Sequence, residues 1–435
     1  MAQGKFRNEL TADENLDVLE EPGRKQPSDS PTPCLESDPP DGGLVAWTTA
    51  FGCFLMQIGG HGYSNSFGVY QDFYTRIYLT DQSPSTISWI AALSSFITSS
   101  LTLISGRLYD RGWFYHLVIV GSLLQSLALF ALSFAKPGQL YMIFIFQGVL
   151  IGFAMGLTYG PCIAVIAQHF TKRRTFVMCL VTSGSPLGGI IHPIMLNHLL
   201  NGTAGFARGV RISAGFVSVL LLISCLSMRT RALSTPATSY STVARKCSRD
   251  VPYMLMVSGI LLAQIGFHFP IYYLQLDSIK HGISKHFSFY SISILNAASV
   301  IGRCTAGIIA PYTGLLNLTI ASNAACGVII ISMIALSNIP SVVVIGIAYG
   351  YFSGVYIAML TPLLTMVTPD LSELGARMGI SFTVTAFGGL LSGPISGALL
   401  SPHYRWLIPS IFDGIICLVG SLVLVVMRLV INRQR

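Results

Sequence analysis

Apolar residues in this chain come in runs of roughly 20, long enough as helices to cross about 30 Å of hydrocarbon. Twelve such runs follow a polar leader, at about 44–70, 85–105, 114–135, 140–168, 175–200, 210–228, 251–276, 288–310, 315–337, 341–367, 375–400 and 406–428. The pattern predicts an all-α membrane protein with twelve transmembrane helices. Residues 1–40 show no apolar period and hold Pro22, Pro27, Pro31, Pro33, Pro39 and Pro40 among acids and serines. They read as a disordered tail, either a regulatory segment or a solvated leader. Pro39-Pro40-Asp41-Gly42-Gly43 closes the tail, and Trp47 then anchors the first helix at the interface. The predicted units are the tail 1–40, a six-helix bundle 41–228, an Arg- and Ser-rich linker 229–250, a second bundle 251–428 and a short end 429–435.

Polar residues inside the apolar runs are few and patterned. Gln57-Ile58-Gly59-Gly60-His61 in the first run returns as Gln264-Ile265-Gly266-Phe267-His268 in the seventh. Gln and His stand four apart in both, so they share one helical face. Ser64 and Asn65 continue that face in the first copy, Tyr272 and Gln275 in the second. At membrane depth such groups are unfavourable unless they face protein or water, and intramembrane polar groups mark function by default. The reading is a polar site between two chain halves; the alternative is that these side chains only join neighbouring helices. Other landmarks repeat at the same interval: Gly106-Arg107 ends segment 2 and Gly302-Arg303 segment 8. Tyr159-Gly160 pairs with Tyr349-Gly350, and Gly188-Gly189 with Gly388-Gly389. Two parallel six-helix repeats with the substrate site at their interface follow from this.

Composition and charge narrow the class. Only 10% of the 435 residues are charged, against about 25% in a soluble protein. The net charge of +8 reads as topology and not as affinity for nucleic acid. With both termini cytoplasmic, nineteen of the 26 lysines and arginines fall inside and seven outside, as the positive-inside rule requires. The sequon Asn201-Gly202-Thr203 then lies outside as a glycosylation candidate. Nine cysteines are scattered without CxxC pairs or histidine partners, so neither a metal site nor a disulfide framework is expected, and no cofactor is implied. No cleavable signal peptide precedes the first helix, which would itself be the targeting signal.

Several motifs together resemble the major facilitator superfamily, and within it the monocarboxylate-porter-like branch of fungal type. They are Asp41-Gly42-Gly43 with Trp47, "NSFGVYQDFY" from Asn65 to Tyr74, "GRLYDRG" from Gly106 to Gly112, "QHFTKRR" from Gln168 to Arg174, "GSPLGG" from Gly184 to Gly189, and "SILNAASVIGR" from Ser293 to Arg303. The resemblance covers about residues 41–430 and implies transport by alternating access. It assigns the loop with Gly106, Asp110 and Arg111 to gating: Asp110 can accept from N–H groups at a helix start and pair with an arginine. A plain topogenic cluster is the alternative. Arg303, on one helical stripe with Asn296 and Ser299, is by resemblance the arginine that engages an anionic substrate; guanidinium suits a carboxylate. The competing role is an anchor ending helix 8. The aromatics Tyr159, Tyr349, Tyr351, Phe352 and Tyr356 lie on helices 4 and 10, which line the cavity in the superfamily.

Departures from the pattern shape the functional reading. Asn65 stands where carboxylate-carrying relatives have a lysine, Ser299 where some have an acid, and Pro311 where the second-half loop often carries an acid. A simple lactate-type substrate is put in doubt, and a larger or less charged molecule comes into view. The expected activity is secondary transport of a small organic anion or carboxylate-bearing metabolite, with His61, His268, Gln57, Gln264, Asn65, Asn296, Arg303, Tyr159 and Tyr356 around it. Efflux of a secondary metabolite is one alternative, and a non-transporting sensor on the same fold is another. An enzyme would need clustered catalytic groups that are not seen. Protons, if coupled, would ride on His61 or His268, since histidine titrates near physiological pH. The expected location is the plasma membrane.

Overall fold

A computed structural model describes residues 41–231, 240–400 and 406–434; the expected tail 1–40 and part of the expected linker lie outside these. Among the described residues eleven helices are long and apolar enough to cross a membrane. They are α2 (Pro84–Asp110), α3 (Phe114–Leu132), α4 (Leu140–His169), α5 (Arg174–Asn201), α6 (Gly205–Ser227), α7 (Val251–Lys280), α8 (Lys285–Thr313), α9 (Leu315–Ala335), α10 (Ile339–Val367), α11 (Leu374–Leu400) and α12 (Leu407–Gln434). The remaining crossing, α1, is interrupted: Leu44–Gln57 passes into a π-helical turn Ile58–Gly62 and resumes as Phe67–Phe73. A short helix Tyr240–Arg249 lies between α6 and α7.

The interruption of α1 has a packing cause. A Cβ at Gly62 would stand 3.1 Å from the Ser185 carbonyl oxygen and 2.6 Å from the Gly188 Cα. Here α1 and α5 cross backbone against backbone, which only glycine permits. π turns of this kind are rare inside helices and gather at functional sites.

Helix pairing repeats with a shift of six. α1 packs on α6, α2 on α4 and α3 on α6; α7 packs on α12, α8 on α10 and α9 on α12. Two further pairs, α2 with α11 and α5 with α8, join the halves, and each maps onto the other under the same shift. This is the two-repeat architecture expected from the landmarks. Buried polar groups satisfy each other within the halves: the Ser224 hydroxyl donates to the Gly52 carbonyl at 2.6 Å, and Asn323 Nδ2 to the Cys417 carbonyl at 3.0 Å.

Two helix ends differ from the sequence reading. α6 begins at Gly205 and not near 210, because its early arginine is accommodated: Arg211 Nε donates to Ser133 Oγ at 3.1 Å and the guanidinium lies over Phe134. Long basic side chains reach a polar rim this way. α8 does not end at Gly302-Arg303 but runs on to Thr313. Arg303 is therefore well inside the helix and does not serve as its end anchor.

At the start of α1, Asp41 holds a left-handed backbone (φ 36°) and its carboxylate accepts from the N–H groups of Thr171 and Lys172 at 2.6 and 2.7 Å. Partial burial opposes ionisation of this carboxyl, but the N–H donors of Thr171, Arg173 and Lys172 outweigh it and hold Asp41 below the usual range. The Asp-Gly-Gly motif thus ties the first helix to the loop before α5.

Candidate functional site

The halves meet along α2–α11 and α5–α8, on the side that carries the linker. Asp110, 6% exposed, ends α2 and accepts from two N–H groups in the first turn of α11, Gly375 at 3.0 Å and Ala376 at 2.8 Å. Those groups have no partner within their own helix, and the positive end of the helix dipole favours the anion. A Cβ on Gly106 would run into the Gly375 carbonyl, so glycine sets the close approach on which this bond depends. Arg111 is exposed and takes no part. The arginine nearest in sequence to these donor groups, Arg377, turns elsewhere: its Nη1 donates to Asp250 at 3.0 Å and its Nε lies 3.8 Å from Glu373. Lys246 of the short linker helix pairs with the same buried Glu373. The linker is thereby fastened beside the Asp110 contact. Sequence reading missed this network, because its members are spread over 246–377 and meet only in the fold.

Contacts between the halves continue toward the middle of the helices. Thr383 Oγ1 donates to the Ser100 carbonyl, and Cys179 faces the Ala358 carbonyl. Arg303 Nη1 donates to the Thr182 carbonyl of α5 at 2.6 Å. Farther on, Phe96 meets Phe387 edge-on at 5.3 Å.

The mid-membrane groups gather at this level. His61, in the π turn of α1, stacks on Tyr159 of α4 with centroids 4.1 Å apart. Tyr159 in turn meets Phe382 of α11 at 5.6 Å, which closes an aromatic wall across the halves. Arg303 lies close enough to His61 and Tyr159 to act on both electrostatically. Its Nε has no hydrogen-bond partner, and none of the ion pairs among the described residues includes it. Asn65 and Asn296 converge from opposite halves on Gly189: Asn296 Nδ2 donates to the Gly189 carbonyl at 3.3 Å. A Cβ at Gly189 would stand 2.8 Å from Asn65 Nδ2. The structure thus brings His61, Tyr159, Arg303, Asn65 and Asn296 together, with Phe382, Thr182 and Gly189 added.

Other expected site residues lie apart. Gln57 is buried where α1 crosses α5, against Gly184. In the second half His268 Nδ1 lies 3.2 Å from the Gln264 carbonyl oxygen and its ring stacks with Tyr272 at 5.6 Å; the Gln264 Oε1 is buried without a partner. Tyr349 and Tyr356, expected in the cavity, are fully buried in packing around Phe267. Their rings fill the second half's own core, with Phe267 and Phe269. Asn201 ends α5 on the side opposite the linker, exposed, with its Oδ1 accepting from Arg76 at 3.2 Å.

Twelve crossings in two repeats, closed on one side around a polar and aromatic centre, define a membrane carrier. Residues 44–334 match the family model of the Major Facilitator Superfamily, and the chain belongs to that family of multi-pass membrane transporters. It is 33% identical over 406 residues to the fujikurins efflux protein of Gibberella fujikuroi, covering 92% of this chain and 86% of the relative. It is 33% identical to the agnestins efflux protein of Paecilomyces divaricatus, with 88% and 87% covered. The riboflavin transporter MCH5 of Saccharomyces cerevisiae is 28% identical, with 83% and 73% covered. Among solved structures the fold matches the E. coli fucose:proton symporter FucP at a TM-score of 0.69 and 13% identity, over 88% of this chain and 98% of that one.

Proposed function

We propose that this transporter exports an aromatic, acid-bearing secondary metabolite out of the cell by alternating access. The observation that carries the reading is Arg303: a buried guanidinium, without a carboxylate partner, beside the His61–Tyr159–Phe382 wall. A buried charge of this kind is unfavourable unless it is paired, and an anionic group on a ring-bearing solute supplies the pair while the aromatic faces take the rings. Asn65 and Asn296 add uncharged hydrogen-bond donors from both halves, which suits hydroxyl or carbonyl groups on a larger molecule. The efflux proteins for fujikurins and agnestins among the relatives support export of such compounds over uptake of a small monocarboxylate. In this reading the linker side is cytoplasmic, the membrane is the plasma membrane, and the closed linker side belongs to the state open to the outside. His61 and His268 are candidate hydrogen-bonding partners of the solute.

The test uses inside-out plasma-membrane vesicles from yeast expressing the protein, with 1-naphthoate, a hydroxylated naphthoate and riboflavin as probes. Saturable uptake of the aromatic acids, lost in Arg303→Ala, is the expected result. Movement of riboflavin alone, unaffected by Arg303→Ala, overturns the reading.

A further inference from the structure

The second half holds a carboxyl that the site described above does not use. Asp413, on α12, is completely buried. Its Oδ2 accepts from the Ser396 hydroxyl of α11 at 2.8 Å, and its Oδ1 is buried without any hydrogen-bond partner. None of the ion pairs among the described residues reaches it. The groups facing it are uncharged on every side. α7 presents Tyr273, α11 presents Ser392 and Ser396, and α10 presents Tyr349, whose hydroxyl donates to the Phe267 carbonyl. α9 presents Cys326, which meets Cys417 on Asp413's own helix. A carboxylate in such surroundings has no cation and a single hydrogen bond, and an unpaired charge away from water is strongly unfavourable. The geometry is that of a carboxyl stable only while it carries its proton.

A seam of small and hydroxyl-bearing groups leads from this carboxyl toward the centre of the molecule. The Tyr273 hydroxyl donates to the Gly393 carbonyl at 3.3 Å and lies over Gly397, where a Cβ would stand 2.9 Å from it. Tyr272 follows on α7, half exposed, and stacks with His268. Gly389 of α11 faces the His268 ring at 3.6 Å. We propose that Asp413 is this transporter's proton-binding carboxyl, loaded and unloaded along the α7–α11 seam past Tyr273 and His268. The proposal deepens the export reading, since a bound proton released on one side and taken up on the other would power the cycle. His268 is then the relay at the mouth of the seam.

Infrared difference spectroscopy on purified protein in lipid, without any solute, reads the site directly. At neutral pH the wild type should show a protonated-carboxyl band that Asp413→Asn removes, while Asp277→Asn and Asp110→Asn keep it. Transfer to heavy water should shift the band slowly, and Tyr273→Phe should slow that shift at least several-fold. Asp413→Glu, expected to restore a displaced band, separates loss of the group from loss of the fold. Absence of the band in the wild type, or its persistence in Asp413→Asn, overturns the proposal whether or not export is observed. In vesicles that export 1-naphthoate, Asp413→Asn should keep solute exchange yet lose its response to an imposed pH gradient; an unchanged response also overturns it.

Discussion

Replacing Asp110 by asparagine removes one charge and almost no volume, which makes it a clean probe of the closed state. The aspartate accepts from Gly375 and Ala376 N–H together, at 3.0 and 2.8 Å. Asparagine keeps one acceptor oxygen and turns an NH2 group toward the other N–H, so one charge-assisted bond is lost, about 1.5–3 kcal/mol. Loss of the charge at the helix start adds about 0.3–1 kcal/mol. The sum is at least roughly 2 kcal/mol, which shifts the closed-to-open ratio about thirtyfold or more. None of this touches the residues around Arg303, so binding itself should be preserved. Pulsed electron paramagnetic resonance between labels at the exposed positions 111 and 369 should show the wild type at one short distance. The variant should show a broadened distribution with a longer component, in the absence of any solute. Identical distributions in both proteins would refute the assignment of Asp110 as the bond that holds this side shut.

Three further outcomes are expected. Gly106→Ala should open the same side more severely than Asp110→Asn, since its Cβ meets the Gly375 carbonyl; an unchanged label distance at 111 and 369 would contradict this. Arg303→Ala should abolish transport of anionic probes, while Arg303→Lys keeps a small fraction of the rate because it retains charge without the planar fork; vesicle kinetics decide, and wild-type rates in Arg303→Ala would leave the residue only a tie to Thr182. Lys246→Glu should set like charges together at the buried Glu373 and lower the thermal midpoint in detergent by several degrees, about 1–2 kcal/mol for a contact with one buried member. An unchanged midpoint would show that the linker helix is not fastened there.

The fold was legible in the sequence because a membrane demands long apolar runs, and runs of that length have few other readings. The repeats were legible through paired glycines and tyrosines at one interval. Site residues were harder to read, for two physical reasons. Helical spacing shows which residues share a face but not which face meets the other half; Tyr159 and Tyr356 occupy comparable stretches, yet one joins a wall across the halves and the other fills a core. A charge after a glycine late in an apolar run also suits a helix end, so an end anchor stood as the competing role for Arg303, although α8 continues to Thr313. Glu373, Arg377 and Lys246 carried no local pattern at all.

The two seams that join the halves are related by symmetry but not by chemistry. Along α2–α11 a carboxyl side chain grips two backbone donors, whereas along α5–α8 the equivalent level has Gly307 lying on Phe176 and Cys179. Van der Waals contact gives way gradually as surfaces slide, but a pair of directed bonds holds until it breaks at once. At that level α5 and α8 can slide while α2 stays on α11 until both bonds break; the directed ties of α8 to α5, from Arg303 and Asn296, lie further in. At the mouth, then, a single residue on one side of the duplicated chain carries the directed contact for a motion in which both copies take part.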